Sequence, residues 1–368
     1  MRRARIPRPL AAAALATLAA ALLFSAAPGL AARVHAASAA PTQTPTTTTT
    51  PATPTPAPAA PAPAPTLKLV VQHAGGSPAF AIVGSRILVR GYVRPYVAGQ
   101  RVKISFYRDG RRLVVRTLGL SPRNDGSGEF HVTFVSHYAG LVQARAVHYA
   151  TAALPLISAQ SEKVRFTHTE LAEGSSGASV LLLQSELYAL HYSVPINGNF
   201  EEATGRAVIA FRKLAGLERV PYADRGVFEA LARGEGPFTV RFARDGRHVE
   251  ADLTKQVLAE IESGGRVHAI YEMSSGKPST PTVIGHFYVY SKTLGVNQKG
   301  MVDSNYFIRG YAIHGYPEVP VYAASHGCLR VPIPNASSIF GWVQLGTAVD
   351  VYNESGGGSH SVSGHAGP

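Results

Sequence analysis

The chain has 368 residues, enough for two or three domains at roughly 100–200 residues each. Hydrophobic residues make up 45% of it, enough to build cores, and its single cysteine excludes an internal disulfide. Lysine and arginine exceed aspartate and glutamate by 12, unevenly: residues 67–166 carry 14 basic and 4 acidic side chains, 170–236 carry 6 and 9, and 237–353 carry 10 and 9.

The N-terminus sets Arg2, Arg3, Arg5 and Arg8 ahead of the apolar run LAAAALATLAAALLF (10–24). Small residues follow, with cleavage positions after Ala27, Ala36 or Ala39. A charged start, a short apolar centre and a small-residue exit predict a secretory signal within 1–40. The run is shorter than the roughly 20 residues of a spanning helix, which favours a cleaved signal over an anchor. The cysteine is far from the exit, so a thioether lipid anchor is excluded. Residues 41–66 are almost wholly Pro, Thr and Ala. They cannot bury apolar area, and their prolines hold an extended spacer. Export makes anionic wall polymers and lipid headgroups the expected partners of the basic segment, rather than nucleic acid.

Residues 67–166 alternate apolar and polar side chains over 85–93, 100–110, 111–118, 128–136 and 141–150. Turn signals such as Arg108-Asp109-Gly110 punctuate them. Strands at that spacing predict a β-sandwich, similar in general pattern to the immunoglobulin-like modules of bacterial surface proteins. Residues 170–236 change to a helical period. Val180, Leu183, Leu187 and Leu190 share one face of a helix over 177–192, and Ala207, Val208, Phe211 and Leu214 share one over 201–216. A third short helix covers 225–234. Val180, Leu183, Gln184, Leu187, Leu190, Tyr192, the NGNF turn, Thr204, Ala207, Val208, Phe211 and Gly216-Leu217 together resemble the peptidoglycan-binding domain of wall hydrolases and transpeptidases. That resemblance implies a three-helix unit that holds glycan. Asn197, Glu201 and Arg212 depart from its usual pattern.

Residues 237–353 return to short strands, with one helix near 335–343, and predict a mainly β domain. Residues 354–368 are Gly/Ser-rich and predict a disordered tail. The one cysteine, Cys328, lies in ASHGCLR (324–330), two residues after His326. A lone thiol in an exported chain is an intermolecular bridge, a packed side chain or a reactive group. A cysteine nucleophile needs an imidazole to take its proton and donors that face an oxyanion. His314 and His326 are the candidate imidazoles, the Gly327 and Cys328 amides the candidate donors, and Arg330 a carboxylate clamp. Zinc held by His314, His326 and Cys328 competes with this reading, but no fourth ligand is evident. His268 and His286 fall in strand-like runs and read as structural. No cofactor is expected, and no metal site is assigned.

His314-Gly315 followed by Ser325-His326-Gly327-Cys328-Leu329-Arg330 resembles the L,D-transpeptidase catalytic domain of bacterial cell-wall enzymes. DLTKQVL (252–258), SSGKPSTPT (274–282) with Gly285 and Phe287, and GTAVDVY (346–352) extend the likeness across 237–353. The resemblance implies a β-sandwich-like fold and exchange of stem-peptide bonds in the wall. It makes Cys328 the nucleophile, His314 the proton acceptor and donor, and His326 an orienting residue. Gly327 and Cys328 become the oxyanion donors, with Ser325 shaping the loop. Tyr306 and Phe307 either line the cleft or simply pack. Val283 stands where Pro is common, and ten residues separate His314 from Ser325, fewer than in some members. A carboxypeptidase or endopeptidase using the same acyl-enzyme and a non-catalytic wall-binding protein are the alternatives.

Overall fold

The computed structural model describes residues 64–355. The signal segment, nearly all of the spacer and the tail beyond Ser355 lie outside the described residues. Nine strands come first: β1 (Thr66–Gln72), β2 (Phe80–Ile82), β3 (Arg86–Arg94), β4 (Arg101–Arg108), β5 (Arg111–Gly119), β6 (Ser121–Pro122), β7 (Gly128–Val135), β8 (Gly140–His148) and β9 (Ile157–Thr167). They form two sheets, β1-β3-β7-β6 and β2-β9-β8-β4-β5. Side chains alternate, so Val102, Ile104 and Phe106 of β4 point inward to meet Val132 and Phe134 of β7. Phe106 stacks on Phe134 with centroids 4.4 Å apart, joining the sheets.

Helices α1 (Ala178–Ala189), α2 (Glu202–Ala215) and α3 (Arg225–Ala232) follow. α2 opens with Glu202, carries Arg212 and Lys213 in its last turn, and stops at Gly216, whose φ of 70° few other residues tolerate. The Asp224 side chain caps α3 by accepting the Val227 amide at 3.1 Å. The predicted apolar stripes are buried, save for half-buried Leu190 and Leu214, but these helices do not close a core of their own. Their side chains share one with Phe80 and Ile82 of β2 and with Val257, Ala259, Ile261 and Ile270 further along the chain. A unit this small buries too little apolar area alone to be secure.

The last segment contains β10 (His248–Asp252), β11 (Val257–Glu262), β12 (Arg266–Glu272), β13 (Gly285–Tyr288), β14 (Ser291–Val296), β15 (Val302–Ile308), β16 (Tyr311–Tyr316), β17 (Leu329–Pro332), α4 (Ile333–Trp342) and β18 (Ala348–Tyr352). One sheet runs β12-β11-β10-β18-β13, with β18 parallel to β10. The other runs β14-β15-β16-β17. The first sheet is buried on both faces. Leu258, Val249 and Val349 point to the second sheet and α4, while Val257, Ala259 and Ile261 point to the helices. Such strands read as nearly continuous apolar runs. Among the described residues no helix is long and apolar enough to cross a membrane.

Candidate active site

Strands β16 and β17 run parallel, with Ile313 opposite Leu329 and His314 opposite Arg330. Ile313, Leu329 and Val331 face the core, so His314 and Arg330 share the opposite face. Cys328 stands just before β17, two residues from Arg330 and therefore on that face. Two steps of roughly 3.3 Å along one strand and one of roughly 4.8 Å across put the Cα atoms of His314 and Cys328 about 8 Å apart, close enough for their side chains to converge.

His314 is buried, and its Nδ1 lies 2.9 Å from the Gly315 carbonyl. A carbonyl only accepts, so Nδ1 carries the imidazole proton and Nε2 keeps its lone pair. Burial lowers the His314 pKa to about 4; the Arg330 charge adds to this and the Gly315 bond opposes it. The imidazole is therefore neutral at pH 7. Burial also pushes the Cys328 thiol above its ordinary value, against partial opposition from the Ala312 backbone and the charges of Arg330 and Lys299. The sulfur is half-buried, 3.7 Å from the Gly310 carbonyl. At pH 7 this face therefore carries a protonated thiol and a neutral imidazole.

The loop carrying Cys328 is held from inside and from behind. Ser325 Oγ donates to the Cys328 carbonyl at 2.6 Å and accepts the Gly327 amide at 3.0 Å. The Gly327 N–H is already engaged, whereas the Cys328 N–H has no hydrogen-bond partner among the described residues. Gly327 has φ 116°, and a Cβ there would lie 1.9 Å from Tyr311 Cε1. No larger residue fits. Thr282 Oγ1 donates to the Gly327 carbonyl at 2.8 Å and accepts the Gly276 amide at 2.9 Å. The Ser275 carbonyl accepts the Ala324 and Ser325 amides, each at 2.9 Å.

The remaining expected site residues divide. Arg330 lies 4.1 Å above the Tyr316 ring. His326 is exposed, with Nε2 3.4 Å from Lys277 Nζ, so it faces a cation at the rim. Tyr306 pairs with Ala312, and its hydroxyl accepts from Asn297 at 3.1 Å. Phe307 is buried against Phe287, which makes it packing. Sequence reasoning missed Thr282, Ser275 and Tyr311. The first two stand in the SSGKPSTPT motif, whose several hydroxyls were the available signal.

Among the described residues the ligand-type side chains that converge are Asp245, His286 and Asp350, not His314, His326 and Cys328. His286 Nδ1 donates to Asp350 Oδ1 at 2.5 Å and lies 3.5 Å from Asp245, the arrangement of an imidazole between two carboxylates. His268 lies 3.4 Å from Glu262 and stacks on Trp342.

Residues 246–351 match the family model of the YkuD L,D-transpeptidase catalytic domain. An L,D-transpeptidase from Xylanimonas cellulosilytica is 34% identical, with a TM-score of 0.47; the match covers 50% of this chain and 98% of that one. One from Stackebrandtia nassauensis is 22% identical over 50% of this chain and 95% of that one, with a TM-score of 0.33. One from Mycobacterium tuberculosis is 22% identical over 29% and 57%, with a TM-score of 0.27. No curated protein matches the chain. By the family-model match, the chain carries an L,D-transpeptidase catalytic domain over residues 246–351.

Proposed function

We propose that this protein is an exported cell-wall L,D-transpeptidase that forms peptide cross-links in peptidoglycan through a thioester on Cys328. The observation that carries the reading is the free Nε2 of a neutral His314 on the strand beside Cys328 and on the same face. In the reaction, His314 Nε2 takes the thiol proton as the sulfur attacks the carbonyl of the third stem residue. The Cys328 amide donates to the resulting oxyanion. The carbon–nitrogen bond breaks, the departing amine takes the proton from His314, and a thioester remains. An acceptor amine then attacks the thioester. Its proton passes through His314 to the departing thiolate, and the new amide is released. Arg330 supplies a cation for a substrate carboxylate.

The other modules support a wall-bound reading. A cleft of about 530 Å³ in the helical unit is lined by Phe200, Gly205, Ile209, Pro221 and Tyr222, an apolar floor and an aromatic suited to a glycan strand. In the sandwich, ion pairs join Arg90, Arg94 and Arg123 to Asp125 and Glu129, on the four-stranded sheet and its β6–β7 turn. The outward register of the five-stranded sheet carries Arg101, Lys103, Arg112, Arg145, Lys163 and Arg165, none in an ion pair among the described residues. That face complements an anionic wall polymer, and such binding would weaken steeply with salt.

The test is mass spectrometry of products from disaccharide-tetrapeptide. Cross-linked dimers from the full chain, absent for Cys328→Ala, are expected. Trimmed monomers alone would make the protein a hydrolase, and undiminished dimer formation by Cys328→Ala would end the mechanism.

A further inference from the structure

Lys213, in the last turn of α2, has a fully buried side chain. Lysine is almost never so placed unless paired. Its ammonium donates to the Gln256 carbonyl at 3.0 Å, the Met273 carbonyl at 3.0 Å and Glu272 Oε1 at 3.3 Å. The other Glu272 oxygen accepts from Arg206 at 3.1 Å, and the same Arg206 nitrogen donates to the Val319 carbonyl at 3.0 Å. Arg219, just beyond α2, donates to the carbonyls of Val321 at 2.7 Å and Thr254 at 3.1 Å.

These acceptors converge on one object. Val319 and Val321 lie in 317–324, the segment that joins the His314 strand to the Cys328 loop. Ser274 Oγ holds a third carbonyl of that segment, Tyr322, at 2.7 Å. Gln256 and Met273 are the anchor behind it. The Gln256 side chain accepts the Ser275 amide at 2.8 Å and donates to Ser275 Oγ at 2.7 Å. Ser275 in turn receives the Ala324 and Ser325 amides. A continuous line of hydrogen bonds thus runs from the Lys213 ammonium to the residue whose hydroxyl holds the Cys328 carbonyl.

A tether that merely carried glycan would need none of this. Apolar residues often replace a buried ion pair without loss of stability, so stability alone does not account for the cluster. We propose that Arg206, Lys213 and Arg219 are positioning residues for the reaction: the helical unit fixes the 317–328 segment and thereby sets Cys328 against His314. The inference rests on Cys328 being the nucleophile. Misplacing a reacting group by about 1 Å costs on the order of a hundredfold in rate.

Two full-chain variants test it. Arg219→Gln removes two bonds to half-exposed carbonyls without disturbing the core. The double variant Lys213→Met with Glu272→Gln removes both charges of the fully buried pair at similar volume. The readouts are single-turnover acylation of Cys328 by a carbapenem, followed by intact mass, together with KM and kcat in the dimer assay and the melting temperature. We expect Arg219→Gln to slow acylation about 10- to 100-fold, with the loss in kcat rather than KM and with partial recovery in Arg219→Lys. Wild-type acylation rates in folded Arg219→Gln and in the double variant would overturn the proposal, as would a change confined to melting. A wild-type protein that is never acylated would instead remove the nucleophile reading, and this inference with it.

Discussion

The resting pair at the site makes a sharp prediction about pH. The Cys328 thiol titrates above its ordinary value near 9, while the His314 imidazole titrates near 4. Between these values the thiol keeps its proton and the imidazole lacks one, so no thiolate–imidazolium pair is stored. At pH 7 only a small minority of Cys328 is thiolate, and alkylation by iodoacetamide rises about tenfold per pH unit up to the thiol pKa. Carbapenem acylation can use Nε2 as a base, so it should hold its rate further into acid than alkylation does. The assay is the pH dependence of both rates on the full chain from pH 5 to 9.5 at constant ionic strength, read by intact mass. Arg330→Gln adds a second check. The arginine lowers both groups, so its loss should move the alkylation limb to higher pH and slow the reaction at pH 7. An alkylation rate that is flat from pH 5 to 8 would show a preformed ion pair and refute the reasoning.

Gly327→Ala should abolish acylation while the protein still folds with a lower melting temperature. The new methyl meets the Tyr311 ring, and the positive φ adds strain of roughly 1–3 kcal/mol. Adding Tyr311→Ala should restore space but only part of the activity. Thr282→Val strips the partners from the buried Gly276 amide and Gly327 carbonyl, and urea unfolding should register a loss of roughly 2–6 kcal/mol. Glu260 is fully buried, and burial raises its carboxyl to about 8, so the fold holds its proton more tightly than the unfolded chain does. Its contribution is complete at low pH and is lost as pH climbs from the ordinary carboxylate range to about 8, by at most about 5 kcal/mol. Melting of Glu260→Gln across pH 4 to 9 should be flatter than that of the parent.

Sequence reasoning reached furthest where local pattern and burial coincide. The apolar stripe of α1 is legible because Val180, Leu183 and Leu187 recur at the helical period and are all buried. β9 was not expected, because Gln160, Ser161 and Glu162 interrupt the alternation where the β8–β9 register shifts. At the site, Cys328 and His314 are legible as candidates from chemistry, since few other residues can serve as nucleophile and base. The use of the Gly327 amide is not, because it depends on where the Ser325 hydroxyl turns. Lys213 reads as an ordinary polar residue near a helix end. Its partners are 43, 59 and 60 positions away, and only tertiary packing brings them to it.

β18 contributes a constraint on when the thiol becomes useful. Although it is the last strand among the described residues, it lies inside its sheet, hydrogen-bonded to β10 on one side and β13 on the other. Without residues 348–352 the three strands β12-β11-β10 keep an unsatisfied edge at β10, and β13 loses its ladder partner. These five residues must therefore be in place before the sheet can close, and a protease that removed only them would take Val349 and Val351 out of the core that backs the Cys328 strand.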